Sequence, residues 1–331
     1  MTKKDIPDTI LERKLRPKTL KEYIGQEKIK EALQLFIDAG KQRGHVSEHL
    51  LFYGPPGMGK TTLAHILADE LQGDLKITSG PALEKAGDLA AILSNLKDND
   101  VLFIDEIHRL RKPVEEALYP VMEEYALDLI VGKGPSARTM RLSIPKIVII
   151  GATTRIAMLS APFRDRFGLI SRLDYYTVPD MTEIILRSAE ILGLPIEEKA
   201  AREIAKRSRK TPRIANRILK RVRDMYEIHE YESITMELLE KLFEILEIDE
   251  DGLSNLDSRY MSALVQKFDG GPVGLSTMAT ALSEDKQTVE EFVEPYLIQL
   301  GLIKKSPKGR VATESGLRYS SELSALSKGK K

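Results

Sequence analysis

The chain has 331 residues, 42% hydrophobic and 30% charged, a globular mix that excludes a wholly disordered polymer. Its length points to two or three domains, each able to bury a core without covalent staples. It has no cysteine, which rules out disulfides, thiolate nucleophiles, iron–sulfur clusters and cysteine-type zinc sites, and its five histidines show no metal-ligand spacing. Fifty Lys and Arg balance fifty Asp and Glu, yet Tyr296 to Lys331 carries eight basic residues against two acidic ones. A neutral chain with one basic end is expected to meet an anion there. No apolar run is long enough to span a bilayer, and the opening Met-Thr-Lys-Lys-Asp lacks the apolar stretch of a secretion signal. A cytoplasmic protein with no membrane contact is expected.

In chain order, residues 1–20 are polar and close at Leu15-Arg16-Pro17, where Pro17 disfavours a helix before it. Ile29, Leu33, Phe36 and Ile37 predict an amphipathic helix over Gln26–Gln42. His49–Tyr53 reads as a buried strand ending in glycine, and Thr61–Leu71 as a helix. Val101–Ile104 reads as a second buried strand, ending in Asp105-Glu106, with a helix at Val114–Glu124. Leu129–Ile144, with Gly132, Gly134 and Pro135 inside it, predicts a β-hairpin. A third buried strand, Ile147–Ile150, runs into Gly151-Ala152-Thr153-Thr154. Apolar strands alternating with helices predict an α/β fold with a parallel sheet covered on both faces.

From Met181 to Leu246 helical periods dominate, which predicts a small helical domain, and the acidic Asp249–Gly252 stretch marks a boundary. Helices at Asp257–Lys267, Leu275–Leu282 and Lys286–Leu300 precede a strand, basic turn and strand at Leu302–Ala312, the order of a winged helix. The Ser/Lys-rich tail after Ser320 is expected to be mobile. The domains expected are 1–180, 181–251 and 252–331.

Gly54-Pro55-Pro56-Gly57-Met58-Gly59-Lys60-Thr61 fits G-x-x-x-x-G-K-[ST], between a predicted strand and a predicted helix as that motif requires. Its glycines, Gly57 and Gly59 among them, let backbone N–H groups approach phosphate oxygens, and the helix N-terminus favours negative charge. Lys60 supplies a point charge for the β- and γ-phosphates, and the Thr61 hydroxyl suits Mg²⁺. ATP and Mg²⁺ are therefore expected. Asp105, at a strand's carboxyl end, is placed to hold the metal, and Glu106 to orient and deprotonate water. His108 reads as a packing or hydrogen-bonding residue. Thr154 either faces the γ-phosphate or caps the strand end. Arg164 and Arg166 are either surface charges or a catalytic arginine offered to a neighbour. Thr211-Pro212-Arg213 opens a helix, and Arg213 either reaches the nucleotide or decorates that helix. A basic hairpin is usually a solvated face; in a winged helix it also suits duplex phosphates.

These stretches resemble the RuvB family, AAA+ motors of Holliday-junction branch migration. The resemblance runs from Leu15-Arg16-Pro17 to Arg310. It rests on the phosphate loop, Thr78-Ser79-Gly80-Pro81, Phe103–Leu110, Gly132–Ala137, Gly151–Arg155, Arg164–Gly168, Thr211–Ala215 and Gly270–Leu275. It implies a RecA-like AAA+ domain, a helical lid and a C-terminal winged-helix head. It further implies homo-hexameric rings on duplex DNA beside a RuvA-like partner docked on the 129–144 hairpin, with a RuvC-like resolvase in the same assembly, acting in recombination and repair. Leu15 and Arg16 match the adenine side; Lys60, Thr61 and Thr62 match phosphate and Mg²⁺ contacts. Thr154 matches a γ-phosphate sensor, Arg166 the arginine finger, and Arg213 a second sensor. Glu123, Glu124, Tyr125 and Tyr176 match further nucleotide positions, and Lys305 and Arg310 match DNA-backbone contacts. Lys305 stands where the family pattern has arginine, Met58 where it has leucine, and Met1–Lys14 matches nothing in the pattern. Two other readings share parts of this set: a clamp loader or protein remodeller with the same nucleotide site, and an ATP-sensing regulator that reads operator DNA with its winged helix.

Overall fold

The computed structural model describes residues 13–46, 48–131, 138–229 and 232–329. The arm up to residue 12, the hairpin turn with Gly132, Gly134 and Pro135, and Lys330-Lys331 lie outside the described residues. The chain forms two compact units, Met1–Gly193 with Thr211–Ile214, and Leu194–Lys210 with Ala215–Lys331.

The first unit runs α1 (Glu27–Arg43), β1 (Leu50–Tyr53), α2 (Lys60–Leu71), β2 (Leu75–Ser79), α3 (Ala86–Leu93) and β3 (Val101–Asp105). It continues α4 (Lys112–Glu124), β4 (Ala126–Val131), β5 (Arg138–Ser143), β6 (Val148–Thr153), α5 (Ala161–Arg164), β7 (Leu169–Arg172) and α6 (Val178–Leu192). Five strands form one sheet in the order β2-β3-β6-β1-β7, every pairing parallel. The three strands read from sequence are its three central ones. Layers on both faces bury them, so they must be apolar throughout. The two strands that escaped the sequence reading are the edges. Leu-Lys-Ile-Thr-Ser and Leu-Ile-Ser-Arg mix polar and apolar residues because an edge strand is only partly covered, and Lys76, Ile77 and Ile170 are exposed. The predicted hairpin is present as β4 and β5, in register from Ala126↔Ser143 to Val131↔Arg138. Leu51, Leu102, Ile104, Leu118, Val121, Ile149 and Phe163 pack between the sheet and its helices with nothing exposed.

His49, just before β1, pins two layers together. The Ile149 amide donates to its Nδ1 at 3.0 Å, and its Nε2 donates to the Met122 carbonyl at 3.1 Å. That pair of bonds requires the neutral ring. Burial lowers its pKa to about 4.

The second unit holds α7 (Glu198–Arg207), most of α8 (Pro212–His229) and α9 (Met236–Ile245). It then runs α10 (Asn255–Ser262), α11 (Leu275–Leu282), α12 (residues 286–299), β8 (Ile303–Ser306), β9 (Gly309–Ala312) and α13 (Glu314–Gly329). Three helices followed by a two-stranded wing give the expected winged helix, packed on Tyr260, Leu264, Met278, Leu282, Val293, Leu297 and Ile303. Gly309, at φ 137°, is needed where β9 passes Val273, because a Cβ there would lie 2.4 Å from the Val273 carbonyl oxygen. The segment after Ser320 continues α13 to Gly329. Thr313 starts α13 by accepting the Gly316 amide, and Tyr319 anchors it by donating to Asp249 at 2.6 Å.

The state of His49 sets an acid limit. Its folded pKa lies below the usual 6.5, so its contribution is complete above pH 6.5 and is lost as pH falls toward 4. Thermal unfolding should show the melting temperature of the wild type dropping across that window. His49→Gln, which cannot titrate, should flatten that drop; a parallel drop in the variant would remove His49 as its source.

Candidate functional site

The loop from Gly54 to Thr61 leaves β1 and enters α2. Gly54, Gly57 and Gly59 hold φ of 138°, 81° and 103°, a region in which side chains are strained. The loop is also gripped from outside. A Cβ on Gly59 would lie 2.5 Å from the Tyr23 hydroxyl, and one on Gly57 would lie 2.9 Å from Arg213 Cβ. Tyr23 donates to the Met58 carbonyl at 3.1 Å; Tyr176 donates to the Tyr23 hydroxyl at 2.9 Å and stands 3.2 Å from the same carbonyl. Burial pushes the Tyr176 phenol up to about 12 and raises Tyr23 well above its ordinary value, so both remain protonated donors.

The Lys60 ammonium donates to the Gly54 and Pro55 carbonyls, 2.8 Å each. Burial lowers its pKa to about 8, opposed by the Asp105 carboxylate and reinforced by the Arg213 charge. The buried cation thus sits among the loop's own acceptors, where phosphate oxygens would serve it better. Thr61 and Thr62 are half-buried in the first turn of α2. At the end of β3, Asp105 Oδ1 accepts the Glu106 amide at 2.9 Å. Glu106 itself takes φ 47°, a strained conformation for a residue with a side chain, and its exposed carboxylate accepts from Arg109 at 2.9 Å. Gly80 makes that turn possible, since a Cβ there would lie 2.5 Å from the Glu106 carbonyl oxygen.

At the end of β6 the two threonines divide their labour. Thr153 is buried; its Oγ1 meets His108 Nδ1 at 2.9 Å and accepts the Arg155 amide at 2.9 Å. The capping role therefore belongs to Thr153, and Thr154 is exposed just past the strand. Leu15 is buried, and its carbonyl accepts from Arg187 at 2.9 Å. Arg16 lies close enough to His65 on α2 for its charge to join burial in lowering that ring's pKa. Mg²⁺ is usually held by one or two protein oxygens plus phosphates and water, and Thr61 and Asp105 are the two that could hold it here.

Glu123, Glu124, Tyr125 and Arg166 are not part of this constellation. They gather at the other end of the strands, the edge formed by their amino ends, opposite the carboxyl-end edge that holds the phosphate loop. Tyr125 stands edge-on to His49 with ring centroids 6.3 Å apart and donates to the Val46 carbonyl. Glu124 pairs with Arg141. The Arg166 guanidinium lies 4.0 Å over the Tyr119 ring and 3.1 Å from Glu123. His49 precedes the four residues of β1 and the phosphate loop follows them, so about 13 Å of strand separates the two edges.

On the wing, Lys305 and Arg310 share one buried partner. Glu294 of α12, with no exposed surface, accepts from Arg310 Nε at 2.7 Å and Nη2 at 3.1 Å and from Lys305 at 2.9 Å. Arg310 is thus largely committed inside the head, while Lys304, Lys305 and Lys308 are exposed. Sequence reasoning missed Tyr23, Tyr119, Thr153 and Glu294. Only Thr153 carried a signal, as the polar residue that ends an apolar strand.

Two predictions follow from these charges. Lys60 keeps its proton below about pH 8 and binding to phosphate restores it above, so nucleotide affinity should be flat below pH 8 and fall up to about tenfold per pH unit beyond it. Arg213→Ala removes a like charge and should shift that break upward; titration with a fluorescent nucleotide reads it, and an unmoved break refutes the coupling. In the head, Arg310→Ala strips Glu294 of its bidentate partner and should cost about 3 kcal/mol in denaturant unfolding. Lys308→Ala should leave stability within about 0.5 kcal/mol and reduce the salt dependence of duplex binding by about one unit of slope.

Three family models match the chain in succession. Residues 15–173 match the Holliday junction DNA helicase RuvB P-loop domain, 176–249 the RuvB AAA lid domain, and 250–321 the RuvB C-terminal winged helix domain. The Holliday junction branch migration complex subunit RuvB of Clostridium kluyveri is 53% identical over 312 residues, covering 94% of this chain and 89% of the relative. The RuvB Holliday junction branch migration motor of Thermotoga maritima is 47% identical, with a TM-score of 0.82 over 92% of this chain and 98% of that one. Solved variants of that protein, among them a lysine-to-arginine form with a TM-score of 0.83 and 47% identity over 92% of this chain and 97% of that one, superpose equally well.

Proposed function

The chain belongs to the RuvB family, and from that premise we propose that it is an ATP hydrolase that moves Holliday junctions along DNA as a branch-migration motor. The observation that carries the mechanism is the placing of Lys60 and Arg166 at opposite edges of one sheet. A nucleotide on the Lys60 loop is out of reach of the same chain's Arg166. Hydrolysis then needs Arg166 from an adjacent copy, and copies that each lend an arginine to the next close into a ring. A homo-hexamer is the ring proposed.

In this reading Leu15 and Arg16 border the base, the loop amides from Gly57 to Thr62 and the Lys60 ammonium hold the phosphates, and Tyr176 with Tyr23 keeps the loop in shape. Glu106 accepts the proton of the attacking water, and Thr154 orients that water against the γ-phosphate. Lys60 and the neighbour's Arg166 balance the charge that grows on the transferring group. Thr61 and Asp105 would hold Mg²⁺, which supplies charge neutralisation between the phosphates. Arg213, packed over Gly57, reports the loop's occupancy to the lid. The Thermotoga variants support these assignments. Their replaced lysine, alanine, threonine, proline and arginine, moved by four positions, fall on Lys60, Ala152, Thr154, Pro212 and Arg166, the same five residue types.

The head suits a motor better than an operator reader. A reading winged helix lays its third helix in the major groove, among phosphates. Here that helix, α12, exposes Glu290 and Glu291, which duplex phosphates repel. That helix sets one exposed cation, Lys286, against these two acids, whereas the wing presents Lys304, Lys305 and Lys308, and wing-to-phosphate contacts hold DNA without reading it. A clamp loader or remodeller shares the nucleotide site but leaves this head unexplained. The β4–β5 hairpin is the proposed docking site of a RuvA-like junction-binding protein, with a RuvC-like resolvase in the same assembly, in the cytoplasm.

The test is ATP hydrolysis and strand exchange on a four-way DNA junction with a RuvA-like partner. Wild-type protein should convert the junction into two duplexes. Lys60→Ala should abolish both activities, and Glu106→Gln should cut ATP turnover at least about 100-fold while retaining nucleotide binding. Turnover without strand exchange in the wild type would return the chain to the general ATPase class.

A further inference from the structure

We propose that Tyr119 is the positioning residue of the arginine finger, a planar rest that aims the Arg166 guanidinium outward toward an adjacent copy. The inference deepens the proposed function and rests on its reading of Arg166 as that finger.

The geometry is specific. Glu115, Tyr119 and Glu123 follow one another at i, i+4 spacing and so share a face of α4. The Arg166 guanidinium stacks on the middle one at 4.0 Å. Its two outer nitrogens reach the Pro162 carbonyl and, at 3.1 Å, Glu123. Its Nε is buried with no hydrogen-bond partner, so the ring and the outer nitrogens fix the group's orientation. Arginine has many rotamers, and an unsupported finger would spread over them; stacking on an aromatic face removes that freedom and suits a planar cation.

Tyr119 is itself held. Its hydroxyl donates to Glu115 Oε1 at 2.7 Å, and the Ser160 hydroxyl donates to the same oxygen at 2.6 Å. Ser160 also accepts the Phe163 amide as the cap of α5, the helix that leads into Arg166. Phe163 backs the tyrosine ring with centroids 5.8 Å apart. One carboxylate oxygen therefore ties the platform on α4 to the segment that carries the finger, and ring and guanidinium move as one body.

Glu123 plays a different part. Its carboxylate is about half exposed, so its pair with Arg166 is weak and exchangeable. It occupies one outer guanidinium nitrogen, Nη2, where a neighbour's phosphate would bind. The resemblance places Glu123 among nucleotide positions; in this geometry its effect on the nucleotide passes through Arg166. Tyr119 keeps its contact whichever anion holds the outer face.

The experiment uses the full chain with junction DNA and a RuvA-like partner, and compares Tyr119→Leu and Tyr119→Phe in the wild type and in Arg166→Ala. Tyr119→Leu should lower kcat about tenfold with KM within about twofold, because the ATP-binding loop is at the other edge. Tyr119→Phe keeps the ring and should recover most of that loss. In Arg166→Ala, Tyr119→Leu should change kcat no further, since nothing remains to position. Wild-type kcat in Tyr119→Leu, or an equal loss with and without Arg166, would overturn the proposal, the second outcome marking a merely structural role. Wild-type kcat in Arg166→Ala would remove the finger itself and the proposal with it. If Tyr119→Leu does not fold, Tyr119→Met carries the same comparison.

Discussion

Because every strand of the sheet points the same way, all the carboxyl ends collect at one edge and all the amino ends at the other. The two edges cannot be equivalent. The carboxyl edge receives the loop after Tyr53, the Asp105-Glu106 turn and the Thr153-Thr154 end within neighbouring strands. These are the three turns a phosphate site draws on, and ligands of such sheets sit outside carboxyl ends for this reason. The amino edge receives what the crossovers bring back: the end of α4 with Glu123 to Tyr125, and the turn with Arg166 before β7. In the proposed chemistry a chain with one such sheet carries half a catalytic centre at each edge. Association of copies follows as a geometric requirement of the proposed chemistry.

The loop at the carboxyl edge meets a second constraint. Three glycines at positive φ allow its amides to turn inward, and the same freedom would let it collapse without a ligand. Tyr23 and Tyr176 offset that cost by holding the Met58 carbonyl. Burial, joined by the Arg213 charge and opposed by Asp105, lowers the Lys60 pKa to about 8, and its ammonium rests on the Gly54 and Pro55 carbonyls. The loop is thus shaped in advance by neutral hydroxyls while its charge stays underused, and binding energy goes into the charge rather than into the shape.

The legible parts of this fold were those in which one residue type answers one physical need. Central strands must be apolar on both faces, so β1, β3 and β6 could be read directly; β2 and β7, wetted at the edge, could not. The phosphate loop was legible because its glycines and lysine lie in one short run. Tyr23 was not, because its role depends on a fold that brings it to Met58, 35 positions along the chain. Thr153 and Thr154 could not be separated by spacing, since only burial decides which caps the strand and which is offered to solvent. The grouping of Glu123 with nucleotide positions came from resemblance alone; the structure sets it beside Arg166 instead. The tail after Ser320 reads as polar, yet Tyr319 and the cap at Thr313 hold it in a helix, contacts that composition does not encode.

In the proposed function the head would hold a polyanion without reading it. A carboxylate as buried as Glu294 is costly unless fully paired, and Arg310, Lys305 and the Tyr260 hydroxyl supply that pairing. The pairing fixes the wing's second strand to α12. It also withdraws most of Arg310 from solvent and leaves the outward charge to lysines, point charges that suit any phosphate and impose no bidentate geometry. For the proposed function the wing offers the duplex three exposed lysines in one short hairpin, whereas α12 exposes Lys286 beside Glu290 and Glu291. Such a head would grip every register of the helix nearly equally, and a motor that must pass each base pair needs a contact with no preferred one.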